Sequence, residues 1–180
     1  ASHLARRAGF SAHNEIIATL QEADSQASAV AQLLALSPST IPLPDWHAES
    51  PFARTQDEDE RKANKQLRNS WARELKYWWF LQMNANTSPL QEKMTLFWAN
   101  HFTSSFKKVK WPPALLAQNQ LLRTHAIGSF RDMLTGILQD PAMLVYLDNA
   151  NSKKESPNEN LARELLELFT MGEGDRKSVV

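Results

Sequence analysis

The 180-residue chain carries 20 basic and 20 acidic side chains, so its formal net charge is zero. This balance disfavours a general nucleic-acid or anionic-membrane surface, and no apolar run approaches the length of a membrane span. The chain has no cysteine, which excludes disulfides, thiolate metal sites and cysteine nucleophiles. A hydrophobic fraction of 42% with six Trp residues predicts a folded domain with a substantial core.

The first part of the chain predicts helices followed by a proline-rich loop. Residues 1–36 have helical apolar patterns that follow Ser11 and Ser25, the candidate N-caps. Residues 37–54 contain four prolines, which prevent a regular helix. Within this loop, Trp46 is more often a residue that pins the loop to the core than one that lines a pocket.

A long helix is predicted from a capping box at Thr55 and Glu58 to about Met83. Its first half has charges of mixed sign, which is typical of a solvated face. Its second half is rich in aromatic residues, and an aromatic cluster can bind bases or sugars. Because no basic excess flanks it, core packing is favoured.

The stretch 88–105 has the clearest helix signal, and we expect it to organise the fold. Ser88 and Gln91 form a predicted capping box around Pro89 at the first helical position. Helical winding predicts a buried apolar stripe of Leu90, Met94, Phe97 and His101, with Trp98 and Phe102 beside it and His101 near the middle of the face. The predicted polar side consists of Glu92, Lys93 and Asn100.

Further helices are predicted after Pro112 or Pro113, over residues 130–138, and after Asp140, an N-cap followed by Pro141. A polar loop over 148–156 precedes a last helix that begins at the Ser156-Pro157 cap and ends at Gly172. No stretch shows sustained strand alternation. The sequence therefore predicts an all-α fold of about eight helices packed around one core, with a proline-rich loop near 37–54.

His101 is the first candidate for chemistry, and two interpretations stay open. A buried imidazole needs a hydrogen-bond partner and is more often structural. Imidazole can also act as a metal ligand or a general base. In the second interpretation His101 and Glu164 are the catalytic residues, and His101, Glu164 and Glu167 bind a divalent metal ion, since carboxylates on one helical face can be joined by a histidine from another helix. Alternatively, Glu159, Arg163 and Glu167 form a solvated ion-pair ladder.

Candidate ligand-binding residues are polar side chains near these helices. Asp148 and Asn149 could bind a cation or a ligand hydroxyl, although a helix-terminal turn explains them equally well. Lys107, Lys108 and Lys110 are weak indications of phosphate or nucleic-acid binding, and a solvated loop is favoured. The candidate ligand-binding set is Asn100, Asp148, Asn149, Asn158, Glu159 and Arg163.

Together these stretches resemble the large bacterial proteins of the domain of unknown function family 1800. The matching segments are HLARRAGF at 3–10, SPLQEKMTLFWANHFTSS at 88–105, QNQLLRTHAIGSFRDML at 118–134, DPAMLVYLDNANSK at 140–153 and PNENLARELLELFTMGEG at 157–174. The resemblance implies a mainly helical protein that is frequently exported, hence periplasmic or secreted. It also implies a gene near those of sulfatase-like proteins, which are possible partners. It supplies no reaction.

The chain departs from the family pattern at particular positions. Ala99 stands where the family's Trp-His-Asn-His motif has its first histidine, which weakens any two-histidine metal site. Leu161 stands where an aromatic residue often precedes Ala-Arg-Glu. Residues 175–180 resemble the translation of a sequencing adapter. We therefore expect a metagenomic fragment with one native helical domain over 1–174, truncated relative to the family.

These observations favour the amino-terminal part of an exported bacterial protein that acts as a binding or assembly module. The alternative is a fragment of a metal-assisted hydrolase that uses His101 with Glu164 or Glu167.

Overall fold

The computed structural model describes residues 1–11, 13–37, 41–85, 87–154, 157–170 and 172. These residues form ten α-helices and no β-strand, which confirms the predicted all-α class. The helices are α1 (Ser2–Ala8), α2 (Asn14–Gln21), α3 (Gln26–Ala35), α4 (Glu58–Ala85), α5 (Pro89–His101), α6 (Phe106–Val109), α7 (Pro112–Thr124), α8 (Phe130–Gln139), α9 (Pro141–Tyr146) and α10 (Asn160–Glu164). The predicted cap at Ser156 and the predicted foreign tail at 175–180 lie outside the described residues, so the domain boundary at 174 stays a prediction.

Helices α1 to α3 form a small cluster that packs on the start of α5. Ser25 caps α3 as predicted, because its hydroxyl accepts a hydrogen bond from Ser28 N at 3.1 Å. The N-cap of α2 is His13 rather than Ser11. Lys93 Nζ donates to the carbonyl of Gly9 at 2.9 Å, which ties the end of α1 to α5.

The proline-rich loop is pinned to α4 by tryptophans, as predicted for Trp46. Trp46 is buried in a 3₁₀ turn at Asp45–Ala48, and its Nε1 donates to Glu74 Oε2 at 2.7 Å. Trp78 Nε1 donates to Pro42 O at 2.9 Å. These bonds satisfy two indole donors that burial would otherwise leave unpaired.

The start of α4 differs in detail from the predicted capping box. Asp57 Oδ1 accepts the hydrogen bond from Glu60 N at 2.8 Å, so Asp57 is the capping side chain. Thr55 Oγ1 instead accepts from Asp57 N at 3.2 Å. The cap therefore lies two residues later than the sequence predicted.

Helix α7 is the hub of the fold, rather than the stretch 88–105. It contacts α4, α5, α6, α8 and α9, and its buried side chains take part in three of the apolar clusters. Leu116 packs with Trp46 and Trp78, Leu122 with Phe102 and Met133, and Ala114 with Val109 and Ala142. At Gly136 of α8 a Cβ atom would lie 2.6 Å from Leu121 Cδ1, so glycine permits the close approach of α7 and α8.

The buried face of α5 is not the predicted stripe. Its buried residues are Pro89, Glu92 and Thr95, whereas Phe97 is 54% exposed. Pro89 occupies the first turn as predicted, but Ser88 makes no side-chain cap and Gln91 Nε2 donates to Arg123 O at 3.0 Å. The helix is rotated relative to the prediction because Glu92 finds a cationic partner on α7, as described below.

Candidate functional site

A cleft opens where the end of α5 meets α6, α9 and the last helix. Its volume is about 570 Å³, within the range of small-molecule sites. The cleft is lined by Asn100, His101, Thr103, Lys108, Tyr146, Leu147, Asn160, Glu164, Leu168 and Phe169. We call it the His101 cleft. It brings His101 and Glu164, the two predicted catalytic residues, to one surface.

His101 is half-buried at the last position of α5. Its Nε2 lies 3.1 Å from the carbonyl oxygen of Phe169. Because a carbonyl only accepts, the proton sits on Nε2. The ring meets Phe102 edge-on at a centroid distance of 4.7 Å. This geometry is compatible with both interpretations of His101. Its Nε2 makes a structural hydrogen bond, and its ring lines a cleft.

Glu164 reaches the cleft from the end of α10. Its Oε1 lies 3.8 Å from a terminal nitrogen of Arg163, which also donates to Asn160 Oδ1 at 2.7 Å. Glu167 does not line the cleft. No group of three or more His, Asp or Glu side chains in the described part of the chain could hold a metal ion. The structure thus does not bring the three predicted metal ligands together.

The last helix starts later than predicted and changes its winding. Asn158 Oδ1 accepts from Asn160 N at 2.8 Å, and its Nδ2 donates to Leu147 O at 3.1 Å. Asn158, which precedes the N-cap Glu159, therefore ties the first residue of α10 to the end of α9. After Glu164 the helix widens into a π-helical turn at Leu165–Thr170, a rare geometry that is frequent at functional sites. Gly172 has φ of +85°, as expected for a glycine that ends a helix.

Lys108 places a positive charge in the lining of the cleft. The sequence had favoured a solvated loop for this lysine. Its Nζ lies 2.6 Å from Asp148 Oδ2 and 5.5 Å from the centre of the Tyr146 ring. Asp148 adopts the left-handed conformation with φ of +61°, and Asn149 begins a 3₁₀ turn. Of the predicted ligand-binding residues, Asn100 lines the cleft, whereas Asp148, Asn149, Asn158, Glu159 and Arg163 lie outside its lining.

A second polar cluster lies at the start of α5 and is largely buried, since the side chains of Arg123 and Glu92 are 12% and 4% exposed. Arg123 of α7 donates to Glu92 Oε2 at 3.1 Å and to Asn119 Oδ1 at 3.1 Å, and its guanidinium lies 5.0 Å from the centre of the Trp78 ring. Burial raises the pKa of Glu92 and lowers that of Arg123, and the attraction between the two opposes both shifts. Sequence reasoning missed this pair and placed Glu92 on the polar side.

A third polar chain runs through the interior beside α7. Ser104 donates to Gln118 Oε1, and Gln118 Nε2 donates to Asp140 Oδ2 at 2.7 Å. The same oxygen accepts from Met143 N at 2.7 Å, so Asp140 is the N-cap of α9, as predicted. Burial raises the pKa of Asp140 to about 6, against the lowering effect of these hydrogen bonds.

The family follows from comparison of the sequence with known proteins. The family described as "Protein of unknown function (DUF1800)" has a sequence model that matches residues 3–177. The chain belongs to this family. The match confirms the predicted resemblance and includes every residue of the His101 cleft. Searches of the curated proteins and of the solved structures found no match.

In this DUF1800 chain the cleft is also lined by residues outside the predicted site sets, among them Thr103, Tyr146 and Asn160. They come from three separate segments, so neither helical spacing nor a motif connects them. None of the helices in the described ranges has both the length and the apolar character needed to cross a bilayer.

Proposed function

We propose that this chain is a binding module that holds a small, neutral, hydroxyl-rich ligand, such as a saccharide, in the His101 cleft. The observation that supports the proposal is the mixture of donors and acceptors on its rim. Asn100, Asn160 and Glu164 are lining residues, so the cleft offers two side-chain amides and a carboxylate. Hydroxyl groups both donate and accept, so they match a rim of this kind.

The charges around the cleft support a neutral ligand. Lys108 is paired with Asp148 at 2.6 Å, and Glu164 lies 3.8 Å from Arg163. Each charge on the rim thus has an opposite charge nearby, which leaves little net attraction for an ion. Leu147, Leu168 and Phe169 supply apolar wall, which suits the C–H faces of a sugar ring.

The test is a titration of the protein with neutral disaccharides (maltose, cellobiose and lactose), followed by NMR of the asparagine side-chain amides. We expect shifts at Asn100 and Asn160 that saturate. Glu164→Gln should weaken binding about tenfold, the cost of a good charge-assisted hydrogen bond. Glu159→Gln is the matched control, because Glu159 is exposed and does not line the cleft. Equal loss in both variants, or no saturable shift with any sugar, would contradict the proposal.

A hydrolase is the second candidate function. It is favoured by the pairing of His101 and Glu164 in one cleft, and by the Nε2–carbonyl bond, which leaves Nδ1 available as a base. A metal would add a Lewis acid to this pair. The test is the metal content of protein purified without chelator, with a screen of chromogenic esters and phosphates. Stoichiometric metal, or turnover that His101→Ala abolishes while the fold is kept, would favour this function over simple binding.

The family resemblance supports two proposals about the cellular setting. The first is that this is an exported bacterial protein. The second is that a sulfatase-like protein encoded nearby is its partner. Co-expression of the two proteins with a tag on one tests the partnership: a stoichiometric complex after gel filtration would support it, and separate elution at micromolar concentration would refute it.

A further inference from the structure

A second cleft lies on the other side of the α5 carboxyl end, between α4, α5 and α7. Its volume is about 330 Å³. The walls are mostly apolar, with large contributions from Leu75, Trp79, Leu96, Ala99, Leu115 and Leu122. Only Asn100 and Thr103 are shared with the His101 cleft, so the two clefts are separate sites on one wall.

The buried amide side chains in the lining of this second cleft already have hydrogen-bond partners. Ser104 and Asp140 take up both ends of the Gln118 amide, and Asn119 Oδ1 accepts from Arg123. Apart from the Trp79 indole, whose Nε1 has no partner among the described residues, a ligand that enters the cleft finds few free donors or acceptors. Burying a polar group without a partner costs free energy, so a mainly apolar ligand segment suits the cleft.

The charge at the rim of the cleft indicates the chemistry of the other end of the ligand. Lys76 is the one charged residue in the lining. It is exposed on α4, and no carboxylate in the described ranges lies within ion-pair distance of it. An apolar slot with a single cation at its mouth is complementary to a molecule that has an apolar tail and an anionic head.

We propose that the second cleft binds a medium-chain fatty acid, with the alkyl chain among Leu75, Ala99 and Leu115 and the carboxylate at Lys76. The proposal does not rest on the proposed saccharide site, although the two clefts share Asn100 and Thr103. The volume of the cleft is at the small end of ligand pockets, which favours a chain of medium length over a long one.

The experiment titrates the protein with octanoate and follows the six indole N–H signals. Trp79 Nε1 is buried and has no hydrogen-bond partner among the described residues, so its signal reports on changes in the cleft wall. We expect a saturable shift of Trp79, with a dissociation constant of about 1 mM or tighter. Trp46, whose indole is bonded to Glu74 and which does not line the cleft, is the internal control.

The head group is tested with 1-octanol, octyltrimethylammonium and the variant Lys76→Gln. Octanoate should bind more tightly than the other two ligands. Lys76→Gln should weaken octanoate about fivefold and leave octanol unchanged, as an exposed charge pair allows. Lys65→Gln, on the exposed side of the same helix, should change neither. Equal binding of octanoate and octanol, equal effects of the two lysine variants, or equal shifts at Trp46 and Trp79 would overturn the proposal.

Discussion

The two ends of α5 carry polar groups in contrasting surroundings. Glu92, near the start, is 3% exposed and bonded to Arg123. His101, at the end, has one backbone partner and faces an open cleft. Burial against a charged partner on another helix therefore marks a group that specifies packing. A polar group with one partner and access to solvent retains capacity for a ligand.

The largest expected effect is at the buried pair. Glu92→Ala or Arg123→Ala leaves the other charge buried and unpaired, so either should lower the free energy of unfolding by about 3–5 kcal/mol. Urea denaturation measures this from the midpoint, with the m-value as a check on two-state behaviour. Lys62→Ala removes an exposed pair with Glu58 and should cost at most about 0.5 kcal/mol. Similar losses in all three variants would remove the distinction between the two ends of α5.

The double variant Glu92→Leu/Arg123→Met sharpens the same point. Since both charges leave together, neither remains unpaired, and the loss should be well below the sum of the single losses. A double-mutant cycle in urea gives the coupling. Strict additivity would mean that the two side chains act independently, against the observed 3.1 Å contact.

Asp140 is a buried carboxylate that accepts hydrogen bonds but forms no ion pair within the described residues. Its folded pKa of about 6 lies above the ordinary value of 3.8, so the folded state binds the proton more tightly than the unfolded state. The contribution of Asp140 to stability is therefore highest below pH 3.8 and falls as the pH rises through 6. The loss is about 3 kcal/mol in total.

Asp140→Asn should abolish that dependence, because the amide oxygen can still accept from Met143 N and Gln118. The free energy of unfolding is obtained from urea denaturation at several pH values. The difference between variant and wild type should grow in favour of the variant as the pH rises from 4 to 7, by up to about 3 kcal/mol. Asp132→Asn controls for the loss of one exposed carboxylate on the neighbouring helix. A pH-independent difference between wild type and Asp140→Asn would refute the assignment.

The cleft end of α5 should respond more mildly. His101→Ala removes the Nε2 bond to Phe169 O and ring contacts with the buried Phe102 and Phe169. Since His101 itself is half-buried, we expect a loss of about 1–2 kcal/mol. His47→Ala is the matched control, because His47 also bonds a carbonyl, that of Pro44, but on an exposed turn. It should cost less than His101→Ala. A loss above about 4 kcal/mol at His101 would class it as a core residue.

The smallest effect is expected at the rim pair of Lys108 and Asp148, whose side chains are 41% and 55% exposed. Asp148→Asn should change the free energy of unfolding by about 0.5 kcal/mol or less at low salt, and by less still at high salt. Thermal melts at two ionic strengths measure this. A larger, salt-insensitive loss would indicate that the left-handed turn, and not the ion pair, depends on the carboxylate.

Local signals in the sequence predicted much of the fold, and non-local partners limited the rest. The caps at Ser25 and Asp140 depend on residues three positions away, so they were readable. The burial of Glu92 depends on Arg123, on another helix, and helical periodicity alone cannot supply that partner. As a result the prediction missed the burial of Glu92 and wrongly buried Phe97, although it correctly buried Phe102.

The candidate site shows the same limit. The sequence predicted that His101 and Glu164 would be used together, and they line one cleft. Glu167 was grouped with Glu164 on the assumption of regular α-helical spacing. The helix widens to π geometry from Leu165, which alters the angle between the two side chains, and a single sequence carries no clear signal for that change.

The central claim is that Glu92 at the start of α5 serves packing, whereas His101 at its end serves the cleft. The most direct test is thermal melting of the wild type and of His101→Ala, each with and without the disaccharide of the panel that binds most tightly. We expect the sugar to raise the melting temperature of the wild type, by mass action on the folded state. We expect His101→Ala to melt only about 2–8 °C lower and to show no response to the sugar. A variant that responds as the wild type does, or that is already unfolded at room temperature, would contradict the claim that His101 serves the cleft rather than the core.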